Sequence, residues 1–283
     1  MKVNREFKLT TFRTGILICL LFLLNSCKEV NADLSFGPPS GLNDRVILIE
    51  EFTGIRCVQC PPGAEELDNL QTLYPENIVV VSLHTGFFAT PEPGKSMFDF
   101  RTADGNALEM ILGAPDNGWP SAIINRKKFE GATSLHSSRT SWAGYIAQEL
   151  ENEALFGLTV NTTWDPGTRA LRADVNAIAR DNVAGPLRIT LLITESGIVD
   201  YQKDIRYGEV PEYVHKHVLR DVISNSVEGD VVVTGSVTAG QSIDYAVNYT
   251  LPAEWKSEKC EVVAFISDGN SRYIYQAGHA KVE

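Results

Sequence analysis

Several kinds of sequence feature are scarce or missing in this chain, and each absence closes a class of function. Cysteine is rare, with 5 residues in 283. The pair Cys57-Val-Gln-Cys60 has no second Cys/His pair at similar spacing, so a closed zinc site would lack half its ligands. Basic charge is short: 25 Lys and Arg stand against 36 Asp and Glu, for a net charge of -11. Without a basic stripe such a chain repels nucleic acid. The most apolar run, residues 15–24, is too short to cross a bilayer, which takes ~20 residues. There is no internal repeat and no low-complexity tract, so solenoids and disordered arrays are excluded. The length leaves room for two domains.

The first residues read as a targeting segment. Lys2, Arg5, Lys8 and Arg13 precede the apolar run, and Leu24-Asn25-Ser26-Cys27 follows it. That ending resembles the lipobox of bacterial lipoproteins. The resemblance implies a signal peptide over 1–26 and lipid, palmitate included, on Cys27, which anchors without spanning. Lys28, where an Asp would signal inner-membrane retention, favours the outer membrane. Losing 1–26 would remove four basic residues and one acidic residue, leaving the remainder more acidic. Residues 27–43, with Gly37-Pro38-Pro39-Ser40-Gly41, read as a tether. Of the cysteines outside 1–27, Cys260 opens the apolar run to Ile266 and reads as a small buried hydrophobe.

The rest is organised around residues 45–75. Val46-Ile47-Leu48-Ile49 predicts a buried strand, and Ala64, Leu67, Leu70 and Leu73 recur at helical spacing behind Pro61-Pro62. Cys57 and Cys60 therefore sit where a strand hands over to a helix N-terminus, which favours a thiolate. Cys57 would gain most, with Arg56 as a candidate tuning charge, and Cys60 would resolve. A redox-active pair, a static disulfide and half of a zinc site remain open at this point.

Ile78–Leu83 predicts a second buried strand, parallel to the first through a helical crossover. His84 ends it, where parallel strands build sites, and is a candidate for tuning the thiols. The 85–101 segment carries Phe87, Phe88, Phe98 and Phe100, either packed over the site or offered as a contact surface. Thr102 is placed to cap a helix ending at Leu112–Gly113. Phe129-Glu130-Gly131 is expected to close a strand pair. A helix is expected over 138–153, with Trp142, Tyr145, Ile146 and Leu150 inward and Glu149, Glu151 and Glu153 on the wet side.

The order of these elements, with CVQC at a helix start and GWPSAII about 60 residues later, resembles the thioredoxin fold. The resemblance implies a cis Pro120 facing the cysteines and shaping a peptide groove. Departures lie at Arg56, where tryptophan is usual, at Val58-Gln59, and in the lack of an assignable buried acid. From 154 to 283 the pattern changes to period two with turn residues between, which predicts an immunoglobulin-like β-sandwich. Residues 195–222 interrupt it. There His215 and His217, two apart, would share one face of a strand; a third metal ligand is not evident.

Taken together, the lipobox, EEFTGIRCVQCPPG, GWPSAIINR, EYVHKHVLR and KCEVVAFI resemble the twenty-eight-kilodalton outer-membrane lipoprotein family of Gram-negative bacteria. This implies an α/β thioredoxin-like domain over 44–153 and an all-β sandwich over 154–283, anchored in the outer membrane. Two functions follow as expectations. One is a binding or assembly subunit of a cell-envelope complex, with Cys57–Cys60 as a fold-locking disulfide. The other is a thiol–disulfide oxidoreductase acting on extracytoplasmic proteins, with Cys57 attacking, Cys60 resolving and Pro120 shaping the groove. Expected partners are the membrane through Cys27, protein or peptide ligands, and other outer-membrane proteins, without nucleic acid, metal or cofactor.

Overall fold

A computed structural model describes residues 44–116 and 118–283. The expected signal segment, Cys27 and the tether lie outside them. No described helix is long and apolar enough to cross a membrane. The fold is β-rich, with few helices and several sheets.

The first strand, β1 (Ile47–Thr53), is buried along its whole length. Helix α1 (Cys60–Leu73) follows, opening on prolines that need no backbone partner in the first turn. Then comes β2 (Ile78–His84), parallel to β1 from Ile47↔Ile78 to Thr53↔His84. Thr102 caps α2 (Ala103–Leu112), its Oγ1 accepting from Gly105 N at 2.9 Å, and Gly113 ends the helix at φ +91. Strand β3 (Ser121–Ile124) runs antiparallel to β1. Helix α3 (Arg139–Leu150) closes this half.

Because β side chains alternate, β1 feeds two cores. Ile47 and Ile49 pack with Leu67 and Leu70 of α1 and Trp142 and Ile146 of α3. Leu48 and Phe52 pack with Leu108 and Leu112 of α2 and with Leu192, Val263 and Phe265. Helices on both faces explain why the strand lacks a wet side. Gly63 lets α1 approach the third strand's entry, since a Cβ there would lie 2.6 Å from Pro120 Cγ.

The later residues form β4 (Phe156–Asp165), β5 (Ala170–Ala179), β6 (Leu187–Glu195), β7 (Ile198–Asp204), β8 (Gly208–His215), β9 (Val218–Val222), β10 (Asp230–Val233), β11 (Ser242–Thr250), β12 (Cys260–Asp268) and β13 (Ile274–Lys281). They do not stay apart from the first half. One eight-stranded sheet runs β13-β12-β6-β9-β2-β1-β3, with β10 also on β6. The seam is the parallel bridge Ser82↔Val218, where Ser82 N donates to His217 O at 2.7 Å. A three-stranded sheet, β11-β5-β4, shares a core with β6 and β12 through Leu171, Val175, Ile189, Ile193 and Val262. The β7–β8 hairpin is a sheet of its own.

Four expectations need correction. Residues 129–131 form a turn, not a strand. Asn125 and Arg126 take φ of 48 and 51, the chain leaves the sheet, and Phe129 stacks on Tyr145 at 3.9 Å. A single bridge, Ala122↔Ser137, stands on β3 instead. Residues 195–222 hold three strands where an interruption was expected. Glu149 is fully buried, not wet, because Arg45 from far upstream reaches it. His215 and His217 do not share a strand, since β8 ends at His215 and His217 turns left-handed at φ +53. Cys260 is buried and free, as expected, and burial pushes its thiol up to about 12.

Candidate functional site

The turn after β1 carries Cys57, two residues before the N-cap of α1, and Cys60 is that helix's first residue. They are joined in a disulfide with Cα atoms 5.4 Å apart. Cys57 N donates to Gly54 O at 3.0 Å and Cys60 N to Cys57 O at 3.2 Å, so the turn is closed on itself. Trp119-Pro120 is cis, as expected, and Pro120 lies against α1 at Gly63.

Both cysteines are buried, at 3 % and 2 % exposure. Much of the cover comes from a part of the chain that sequence reasoning left irregular. The β7–β8 hairpin lies along the cysteine turn and bonds to its carbonyls. Lys203 N donates to Ile55 O and Ile205 N to Val58 O, each at 2.8 Å. Gln202 Nε2 donates to Cys57 O at 3.1 Å and to Gly54 O at 3.3 Å. Ion pairs pin the hairpin and the following turn to α1: Arg206–Glu65 at 2.6 Å and Lys216–Asp68 at 2.7 Å.

Arg56 does not serve the sulfurs as expected. Its guanidinium donates to Thr90 O at 2.8 Å and Pro91 O at 2.6 Å, pairs with Glu92 at 3.3 Å and lies over the Phe87 ring. It anchors the aromatic segment, of which Phe100 is buried while Phe87 and Phe98 are exposed. The backbone N–H groups of Met97 and Phe98 are held by Asp200 of β7, so the hairpin and the aromatic segment are fastened together.

Beneath Cys60 lies a cavity of about 240 Å³ between α1, the ends of β1 and β2, and the end of β8. His84 lines it, as do His215 and His217, so the structure brings His84 to the same space as Cys60. Burial, and next the neighbouring His215, push His84 down to about 3, and burial takes His215 to about 4. Both rings are therefore neutral at pH 7. His84 Nδ1 and His215 Nε2 have no hydrogen-bond partner among the described residues. No group of three or more His, Cys, Asp or Glu is arranged to hold a metal among those residues.

The cavity also contains the acid that sequence reasoning missed. Glu51, on the α1 side of β1, is 2 % exposed and lines the cavity with Cys60. Ser82 Oγ donates to its Oε2 at 2.8 Å, while Oε1 has no partner among the described residues. Burial raises its carboxyl to about 7. The signal was the strand itself: two acids in ILIEEFT, inside a run that reads as buried, must each find partners or change protonation. Glu50 found one, a bidentate Arg126 at 2.9 and 2.6 Å.

The family model described as outer membrane protein Omp28 matches residues 112–283, beginning after the cysteine pair. Among solved structures, HBP35 of Porphyromonas gingivalis aligns with a TM-score of 0.63 at 18% identity, over 85% of this chain and 76% of that one. A protein of Agrobacterium tumefaciens aligns with a TM-score of 0.50 at 16% identity, over 85% and 96%. A domain of the outer membrane lipoprotein Omp28 from Porphyromonas gingivalis gives 0.30 at 15% identity, over 46% and 89%. No curated protein matches the chain. At such identities the first two structures speak for the fold alone.

Proposed function

The chain belongs to the outer membrane protein Omp28 family, and from that premise we propose that it is a lipid-anchored binding or assembly subunit of a cell-envelope complex at the outer membrane. In this reading residues 44–153 are a thioredoxin-like half and 154–283 an immunoglobulin-like sandwich, joined by the shared sheet. Support for the first comes from the β1–α1–β2 crossover, the cysteine pair at the helix start and the cis bond before Pro120. Support for the second comes from two sheets meeting over one core. The anchor is the lipid on Cys27.

The observation that carries the binding role is the capped cysteine turn. A sulfur that attacks protein disulfides must be reached by an extended peptide, and here the hairpin backbone occupies the carbonyls of Ile55 and Val58. The disulfide then locks the turn on which the hairpin rests. The exposed Phe87, Met97 and Phe98 beside it supply apolar contact area for a protein partner.

The experiment is a pair of measurements on the full chain. Photo-crosslinking from position 87 or 98 in intact cells is expected to trap the same envelope partner in the parent and in a Cys57→Ser/Cys60→Ser chain. Reduction of insulin disulfides by dithiothreitol is expected to run no faster with the protein than without it. Loss of the crosslink with the cysteines, together with catalysed insulin reduction, would replace the binding role by the oxidoreductase. One observation favours that second reading: Glu51, raised to about 7, sits by the cavity under Cys60, where a proton acceptor for the resolving thiol belongs.

A further inference from the structure

Cys57 and Cys60 are equally buried, but their surroundings differ. The residues around Cys57 are closed off by backbone and side-chain hydrogen bonds from Gln202 and Lys203 of β7 and from Ile205 in the turn after it. Cys57 is not among the residues that line the cavity of about 240 Å³; Cys60 is. Among the lining residues Val214 and Lys216 are exposed, and Lys216 pairs with Asp68 of α1 at 2.7 Å. A dry cavity of about 150 Å³ already admits a molecule the size of benzene. This one has room for a small organic thiol and none for a folded protein.

We propose that the Cys57–Cys60 disulfide is addressed through this cavity, at Cys60, by small aliphatic thiols, and is closed to protein thiols at Cys57. The inference goes beyond the binding role and does not depend on it.

The chemistry balances with two thiol molecules. The first loses its proton, and its thiolate attacks Cys60 Sγ; the bond to Cys57 breaks and Cys57 departs as thiolate. That departure suits its place before the N-terminus of α1, where no acidic residue occupies the first turn. The thiol whose anion is better stabilised leaves faster. A second thiolate attacks the outer sulfur of the mixed disulfide, releasing Cys60 as thiolate and the small molecule as its own disulfide. Two electrons pass from two thiols to the protein, and the two protons end on Cys57 and Cys60. Glu51 stands in the same wall and titrates near neutrality, so it can hold the first proton.

The test uses the oxidised full chain with cysteamine as the small thiol and a reduced thioredoxin as the protein dithiol, at matched thiolate concentration, each in large excess over the protein and free of its own disulfide, so that an initial rate is read even where the equilibrium disfavours reduction. Disulfide loss is followed by acid quench, alkylation and peptide mass spectrometry. Cysteamine is expected to react at least tenfold faster than the protein dithiol; a faster protein dithiol overturns the proposal. Ala64→Leu, a good helix former that narrows the cavity, is expected to slow cysteamine at least tenfold without lowering the thermal midpoint. An unchanged rate overturns it. With cystamine as probe, Cys60 in Cys57→Ser is expected to form the mixed disulfide at least tenfold faster than Cys57 in Cys60→Ser, and the reverse order overturns it. Should either serine variant fail to fold, the Ala64→Leu comparison decides alone.

Discussion

Two carboxylates, Glu149 and Glu51, are buried in this molecule to nearly the same degree, and their protonation runs in opposite directions. Glu149, near the end of α3, is met by Arg45 at 2.9 Å, Asn125 at 2.8 Å, Lys127 at 2.8 Å and Tyr273 at 2.9 Å. Burial alone would raise it, but the bonds from Lys127, Asn125 and Tyr273 and the charge of Arg45 together hold it below the usual carboxylate range. Glu51 has Ser82 and little else, so burial wins and its carboxyl rises to about 7. Burial sets the cost of a charge; the count of partners decides whether the charge survives. The first acid ties the start of β1 to β13 through Arg45 and Tyr273. The second is left poised beside a cavity and a disulfide.

The largest effect is expected at Glu149. Glu149→Ala leaves the Arg45 guanidinium buried without its anion. We expect a loss of about 3–5 kcal/mol in urea unfolding, the size found when one partner of a buried pair is removed. A loss below 1 kcal/mol would mean that the network is solvated.

At Glu51 the effect is read through pH. Its folded value lies above its unfolded value of 4.5, so the folded state holds the proton more tightly. Stability from this group is therefore greatest below pH 4.5 and declines as pH climbs through about 7, by about 3 kcal/mol in all. Glu51→Gln should remove that decline, read as the difference in urea midpoints between pH 4.5 and 8. Equal slopes in the two proteins would show that Glu51 titrates as an ordinary carboxyl.

A smaller effect is expected at Gln202, the hairpin side chain on the cysteine turn. Gln202→Ala removes donors from Gly54 O and Cys57 O and should cost about 1–2 kcal/mol. It should also loosen the cap, so that a protein dithiol reduces the disulfide faster than in the parent. A stability loss with no change in that rate would separate the hairpin from access to Cys57.

Much of the scaffold around these acids was legible in the sequence, for local reasons. The runs ILIEEFT and IVVVSLH, the Pro61-Pro62 helix start and the Thr102 cap each encode their element within a few residues. What was not legible depends on distant partners. Helical period placed Glu149 among Glu151 and Glu153, which are exposed; Asn125 and Lys127 after β3, together with Arg45 and Tyr273 from the two ends of the described chain, draw it inward. The β7–β8 hairpin was hidden because its strands carry Gln202-Lys203-Asp204 and Pro211 and lack an apolar alternation. Its inward Gln202 bonds to the cysteine turn, and Ile198 and Tyr201 pack in a small cluster with Ile55, Phe100 and Val218, all brought from other parts of the chain. The site was half visible: Cys57, Cys60, His84 and Pro120 could be named, but not the cover over the sulfurs, nor Glu51 beneath them.

On the proposed function, the Cys57–Cys60 pair is a capped, structural disulfide that supports a binding surface. Its most direct test is the reduction potential of that pair in the full chain, measured against a thiol–disulfide buffer with Cys57→Ser as control. A value below about -300 mV is expected, where structural disulfides lie. A value of about -180 mV or above, the range of disulfide isomerases, would contradict it and make the oxidoreductase the protein's function.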